Sequence, residues 1–115
     1  MKPQLAGLYV IIDPAACADR DPVWVATRAI EGGASAVQWR DKGEHAAARL
    51  GAARQIRALC RERGVLFIAN DDPNLAVELD ADGVHLGQKD MPIEQARPIV
   101  GPDAIIGVST NNVRE

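Results

Sequence analysis

Polar side chains that could bind an anion or a metal ion follow apolar runs at four places in this sequence. The groups are Gln38, Arg40 and Lys42; Asn70, Asp71 and Asp72; Gln88 and Asp90; and Ser109, Thr110 and Asn111. Arginine can bind phosphate oxygens in a bidentate way, and Mg²⁺ takes one or two carboxylates and completes its octahedron with phosphate and water. Cations and carboxylates together therefore favour a metal-bridged diphosphate as the ligand.

The apolar runs and the segments between them predict strands that alternate with helices. Strands are expected at Leu8–Ile12, Ala36–Arg40, Val65–Ala69, Gly83–Leu86 and Ala104–Val108, and helices after Asp21, over Glu44–Arg63, from Pro73 to about Leu79 and over Ile93–Val100. Leu8–Ile12 is almost wholly apolar, as is typical of a strand buried on both faces of a parallel sheet. Because the carboxyl ends of parallel strands meet at one edge, the four polar groups are expected at one end of the sheet.

Composition narrows the class of protein. The 115-residue chain is 47% hydrophobic with a formal net charge of −3, which is typical of one globular domain. The acidic balance and the lack of a basic stripe give no reason to expect nucleic acid as a partner. No apolar run approaches the ~20 residues of a membrane span. Cys17 and Cys60 form no CxxC motif, which indicates two reduced thiols in a cytoplasmic protein.

Each polar group also has a purely structural interpretation. The segment 70–73 could be a turn that caps the next helix, and Asp90 and Ser109 could be helix caps as well. The alternating polar side chains of 38–42 could be a solvated strand face, and His85 could pack within its strand. The functional interpretation is favoured because the signals coincide at four consecutive strand ends.

Four motifs in this chain resemble thiamine-phosphate synthase. They are Gln38-Trp39-Arg40-Asp41-Lys42, Asn70-Asp71, Ala81-Asp82-Gly83-Val84-His85-Leu86-Gly87-Gln88-Lys89-Asp90 and Ile106-Gly107-Val108-Ser109. Their order and spacing match from Leu8 to the last residues. The resemblance implies an α/β fold of the (β/α)₈ TIM-barrel type, with residues 1–115 as one incomplete barrel domain of about the first five strands and four helices. An open five-stranded, flavodoxin-like sheet is the alternative fold.

The resemblance also implies an activity and a set of site residues. The expected enzyme is a transferase of alkyl or aryl groups in thiamine biosynthesis. It would join 4-amino-2-methyl-5-(diphosphooxymethyl)pyrimidine to a thiazole phosphate and release diphosphate. The pyrimidine diphosphate would be bound by Gln38, Arg40, Lys42, Asn70 and Ser109, and Mg²⁺ by Asp71 and Asp90. The family's chemistry is dissociative, so no residue is expected to act as a general acid or base.

Two departures from the family pattern bear on this prediction. Asn111 stands where many members have a histidine, which disfavours the related thiazole tautomerases. The chain is also shorter than the ~200 residues that eight βα units need, so an N-terminal portion is expected. Unpaired edges at Leu8–Ile12 and Ala104–Val108 would then favour self-association. A tautomerase-like relative and a non-catalytic half-barrel that binds a phosphate ligand remain the alternative functions.

Overall fold

The computed structural model describes residues 8–17, 20–43, 46–87 and 91–108. The strands within these residues are β1 (Leu8–Ile12), β2 (Ala34–Trp39), β3 (Leu66–Asn70), β4 (Gly83–Leu86) and β5 (Ile105–Val108). The helices are α1 (Pro22–Glu31), α2 (Leu50–Arg63), α3 (Pro73–Glu78) and α4 (Ile93–Val100), with a 3₁₀ helix at Ala46–Arg49. The hydrogen-bonded strand order follows the chain, β1-β2-β3-β4-β5. Five parallel strands alternating with four helices confirm the predicted α/β class.

Most elements lie where the sequence predicts them, with one correction. β1, β4 and α4 have the predicted bounds, whereas β3 and β5 begin one residue late. β2 begins two residues early and ends one residue early, so that Arg40 directly follows it. The prediction of one helix over Glu44–Arg63 is wrong in its first turn, because Ala46–Arg49 is 3₁₀ and α2 begins only at Leu50. Tight turns of this kind are common at helix N-termini. In the part of the chain that the structure describes, no helix is long and apolar enough to cross a membrane.

The chain divides into two compact units, Met1–Phe67 and Ile68–Glu115. In the first unit β1 and β2 pair in parallel, with Tyr9 opposite Ala36 and Ile12 opposite Trp39. The expectation that β1 is buried on both faces is wrong, since Leu8 and Ile11 are 50% and 54% exposed. β1 is the first strand in the sheet order and pairs on one side, with β2.

Helix α1 in the first unit begins as its sequence predicts. The Asp21 carboxylate accepts a hydrogen bond from the Val23 N–H at 2.9 Å, and Pro22 occupies the first helical position. The carboxylate satisfies one of the N–H groups that have no partner at a helix start, and the proline lacks such a group. Ala26 and Ile30 then face the core, which also contains Ile12, Ala36, Trp39, Ile56, Cys60 and Phe67.

The second unit contains β4 between β3 and β5, with all pairs parallel. Its buried cluster is made of Ala69, Ala76, Val84, Leu86 and Ala96. Gly83 opens β4 opposite Ile105, and a β-carbon at Gly83 would lie 2.7 Å from the Ile105 Cβ and 2.9 Å from its backbone carbon. The close approach of β4 and β5 therefore requires glycine at this position of the Ala-Asp-Gly motif.

Candidate functional site

The first candidate group lies around the carboxyl end of β2, where it contacts side chains from β1 and from the residue after β1. Gln38 is only 3% exposed, and its amide Nε2 donates to the Tyr9 hydroxyl at 2.8 Å. A buried amide needs hydrogen-bond partners, and the phenol oxygen supplies one from the neighbouring strand. Gln38 is therefore held in a defined orientation rather than lying on a solvated strand face.

Arg40 is held in a similar way by Asp13, the residue that directly follows β1. Arg40 Nη1 donates to Asp13 Oδ2 at 2.7 Å, and Asp13 Oδ1 accepts the Ala15 N–H at 3.0 Å. The Arg40 side chain is 40% exposed, so the guanidinium reaches solvent. Because a guanidinium has five N–H donors in a planar fork, one that contacts a single carboxylate oxygen retains the capacity to bind phosphate.

The loop after β2 contains a second, more buried ion pair. Arg49 donates from Nε and Nη2 to the two carboxylate oxygens of Asp41, at 2.7 and 2.8 Å. The hydrogen bond from Arg49 lowers the pKa of Asp41, with a further contribution from the Gly43 N–H, against the raising effect of burial. Lys42 lies between these contacts and is exposed. Residues 40–42 follow the last residue of β2, so the period of two that the sequence predicts for 38–42 applies within the strand only up to Trp39.

The second candidate group lies in the other unit, at the end of β3. Asn70 is the last residue of β3, and Asp71 follows it with a left-handed backbone conformation, φ 71°. The Asp71 N–H donates to the His85 carbonyl at 2.7 Å, which ties this residue to β4. Asn70 and Asp71 are both half-buried. Aspartate tolerates positive φ better than most residues, although the conformation still carries some strain.

Asp72 has the structural role that the sequence offered as an alternative for the whole 70–73 segment. Its carboxylate accepts the Asn74 N–H at 2.9 Å, and Pro73 occupies the first position of α3. The helix cap therefore involves Asp72, and neither Asn70 nor Asp71 supplies it. The two residues predicted to bind ligand and metal are separate from the residue that caps α3.

His85 packs within the second unit. It lies opposite Gly107 of β5 and is half-buried. A β-carbon on Gly107 would lie 3.0 Å from His85 Nδ1, so the imidazole occupies the space that the glycine leaves. This contact agrees with the structural interpretation of His85 made from the sequence.

A magnesium ion would need oxygen donors from the side chains at these strand ends. Asp71 places one half-buried carboxylate at a strand end, which is the donor type Mg²⁺ prefers. Asp90, the second predicted ligand, lies outside the described residues, and so do Ser109, Gln88 and Asn111. Within residues 8–17, 20–43, 46–87 and 91–108, no group of three or more His, Cys, Asp or Glu side chains could hold an ion. The donor chemistry of Asp71 fits Mg²⁺ as one of a pair of carboxylates.

Four residues that shape the first group are absent from the site predicted from sequence: Tyr9, Asp13, Asp41 and Arg49. The sequence does place Asp13 among the polar residues that follow strands, since it follows β1 as Arg40 follows β2, but it was not predicted to bind ligand. Arg49 lies eight residues after Asp41, a spacing that corresponds to no secondary-structure period. Burial first, and then the nearby carboxylates, raise the pKa of the Cys17 thiol, which lowers the fraction present as the nucleophilic thiolate.

Comparison with known proteins supplies a family. A family model described as thiamine monophosphate synthase matches residues 8–115. Curated proteins named thiamine-phosphate synthase from Bacillus cereus and Bacillus thuringiensis are 46% and 45% identical over 97% of this chain. A solved thiamine phosphate pyrophosphorylase from Pyrococcus furiosus is 39% identical and covers 94% of this chain with a TM-score of 0.79. These matches confirm the resemblance and the barrel-type α/β class predicted from the motifs.

The matched proteins are longer than this chain. The chain spans 52% of the length of both Bacillus relatives and 52% of the Pyrococcus furiosus chain. The similarity therefore covers about half of each of these proteins.

Proposed function

The chain belongs to the thiamine monophosphate synthase family, and on this premise we propose that it supplies the pyrimidine diphosphate site of a transferase. The reaction is the condensation of 4-amino-2-methyl-5-(diphosphooxymethyl)pyrimidine with a thiazole phosphate, which yields thiamine phosphate and diphosphate. The observation that carries the proposal is the group at the ends of β1 and β2. There a half-exposed guanidinium and a buried amide, Arg40 and Gln38, are both held in place by β1 and the residue after it.

The residues have separate roles in this proposal. Arg40 and Lys42 bind the diphosphate, because a cation at each position offsets the charge that develops on the leaving group. Gln38 hydrogen-bonds the substrate and is kept in orientation by Tyr9. Asn70 belongs to the same substrate-binding set, as does Ser109, which lies outside the described residues. A site of this composition needs no general acid or base, since the departing diphosphate is stabilised by charge.

Magnesium is the proposed cofactor, with Asp71 and Asp90 as its ligands. When bound, Mg²⁺ would neutralise charge on the diphosphate oxygens. The support from this chain is the Asp71 carboxylate, a half-buried oxygen donor directly after β3. Asp71 also has a strained backbone conformation, with φ 71°. Residues with strained φ and ψ angles are common at ligand sites, which agrees with a binding role.

Three further parts of the proposal concern the chain as a whole. Residues 1–115 form one incomplete barrel domain, the protein is cytoplasmic, and its edge strands β1 and β5 favour self-association. The exposed Leu8 and Ile11 on β1 and Val108 on β5 support the last of these. Self-association would appear as a concentration-dependent mass in analytical ultracentrifugation.

The test is calorimetric titration of the pyrimidine diphosphate, with and without Mg²⁺, on the wild type and on two matched variants. Asp71→Asn removes the proposed metal ligand, whereas Asp80→Asn removes the carboxylate of the other non-glycine residue described with positive φ, 53°. Asp80 lies in the turn between α3 and β4, away from the carboxyl ends of the strands.

Binding is expected to require Mg²⁺ and to weaken at least ~tenfold in Asp71→Asn, about 1.4 kcal/mol, with Asp80→Asn unchanged. Absence of binding by a folded wild-type chain would overturn the proposed site. Magnesium-dependent binding of the pyrimidine diphosphate would also separate the transferase from a tautomerase-like relative, which has no use for that substrate.

A further inference from the structure

The ion pair between Asp41 and Arg49 lies in the loop after β2, beside the proposed diphosphate ligands. It is bidentate, with Nε and Nη2 of Arg49 at 2.7 and 2.8 Å from the two Asp41 oxygens. The Asp41 side chain is only 4% exposed. The Arg49 side chain is 32% exposed, but a bidentate contact to a buried carboxylate has one favoured geometry, whereas a fully exposed ion pair adopts many. This pair therefore fixes the position of Arg49 relative to Asp41.

Backbone contacts extend the restraint to the residues around Lys42. The Gly43 N–H donates to Asp41 Oδ1 at 3.0 Å, so the carboxylate before Lys42 holds the backbone after it. A β-carbon on Gly43 would collide with the Arg49 guanidinium and would lie 3.3 Å from Asp41 Oδ1. The guanidinium thus packs directly over the backbone that follows Lys42, in a space that only glycine leaves open.

We propose that Asp41, Gly43 and Arg49 form a clamp that positions Lys42 for the diphosphate group, which makes Asp41 and Arg49 positioning residues for substrate affinity. The inference rests on the proposed function, because Lys42 has its role there. A lysine is a point charge on a flexible stem, so its contribution to affinity depends on how much freedom it loses on binding. A backbone restrained before binding lowers that loss.

The clamp can be tested first without any ligand. Endoproteinase Lys-C cleaves after lysine, and the lysines of this chain are Lys2, Lys42 and Lys89, so a break at Lys42 is identified by fragment mass. Arg49→Gln is expected to speed cleavage at Lys42 about tenfold, because proteolysis follows local opening. The matched control is Arg28→Gln, which breaks the exposed Arg28–Glu31 pair with the same change of charge and should leave this rate unchanged.

The second measurement is the affinity for inorganic diphosphate with Mg²⁺, by calorimetry, in a double-mutant cycle. Arg49→Gln should weaken binding about fivefold in the wild-type background and have almost no effect in the Lys42→Ala background. A general loosening of the fold would weaken binding equally in both backgrounds. If Arg49→Gln fails to fold by circular dichroism, Gly43→Ala disturbs the same contacts while keeping both charges.

The two measurements together decide whether the Asp41–Arg49 pair positions Lys42 or only stabilises the loop. Faster cleavage together with a loss of affinity that depends on Lys42 supports the positioning role. Unchanged cleavage overturns the clamp. Faster cleavage with no loss of affinity, or with the same loss in both backgrounds, shows a structural loop contact and overturns the positioning role. A wild-type chain that binds no diphosphate overturns the proposed function, and the inference with it, whatever the cleavage rates.

Discussion

The polar residues at the end of β2 and those at the end of β3 are held by different means. In the first unit, side chains hold side chains: Tyr9 binds Gln38, and Asp13 binds Arg40. In the second unit the backbone holds the residue, since Asp71 is placed by a left-handed φ and by its N–H bond to the His85 carbonyl. Side-chain pairs can orient a cation or an amide toward an anionic ligand. The short side chain of an aspartate is instead oriented mainly by the backbone conformation at that residue. The comparison predicts that the two units respond to different kinds of substitution.

The largest effect is expected where the backbone is most crowded. Gly83→Ala should lower the free energy of unfolding by roughly 1–3 kcal/mol, because its methyl group would meet the Ile105 backbone. Gly51→Ala is the matched control in α2, where a β-carbon meets nothing within 4 Å, and it should raise stability by about 0.5–1 kcal/mol. Urea denaturation measures both. Equal effects of the two substitutions would contradict the close approach of β4 and β5.

A smaller effect is expected at the two Asp-Pro helix starts, one in each unit. Asp21→Ala and Asp72→Ala each remove a carboxylate cap, from the Val23 and Asn74 N–H groups respectively, and each should cost about 1 kcal/mol of stability. Asp72→Ala should leave Mg²⁺-dependent binding of the pyrimidine diphosphate unchanged. If it abolished binding in a folded chain, the division of roles between Asp71 and Asp72 would be wrong.

Tyr9→Phe tests the side-chain contacts of the first unit, and its expected loss of stability is similar to that of the two cap substitutions. The substitution keeps the ring and removes the oxygen that accepts the Gln38 amide, so it should cost about 0.5–1.5 kcal/mol of stability. It should also weaken binding of the pyrimidine diphosphate, because Gln38 loses its orientation. Thermal unfolding and calorimetry on the same preparation separate the two effects, and full affinity in the variant would show that Gln38 is oriented without Tyr9.

Asp71→Gly is expected to stabilise the chain while removing its function. Glycine adopts positive φ without strain, so stability should rise by up to about 1 kcal/mol, while Mg²⁺-dependent binding is lost. Asp80→Gly, at the other positive φ, should give a similar gain with binding retained. A loss of stability in Asp71→Gly alone would mean that the carboxylate itself stabilises the fold.

The smallest effect is the pH dependence of the Asp41 ion pair. The Arg49 hydrogen bond lowers the pKa of Asp41, so the folded chain keeps this carboxylate ionised at pH values where the unfolded chain protonates it. The stability that the pair contributes is therefore fully present above about pH 5, and it falls as the pH drops below the unfolded value of about 3.9. The difference in unfolding free energy between wild type and Asp41→Asn should shrink over that window. A difference that stays constant would contradict the lowered pKa.

Local patterns in the sequence were sufficient to predict the helices and strands and to nominate most of the candidate site residues. The apolar runs gave β1 and β4 with their bounds, and Asp21-Pro22 gave the start of α1, because strand burial and helix capping depend on neighbouring residues. The motifs around Arg40, Asp71 and Gly83 also sufficed to indicate the family, which the comparisons confirm.

Contacts between distant residues were decided only by the tertiary structure. The sequence left a helix-capping role open for the whole segment 70–73, and the folded turn assigns that role to Asp72. The pairs Tyr9–Gln38 and Asp41–Arg49 likewise join residues that are 29 and 8 positions apart, spacings that correspond to no secondary-structure period. Propensity and capping are properties of a few neighbouring residues, whereas strand register and loop path depend on how the whole chain packs.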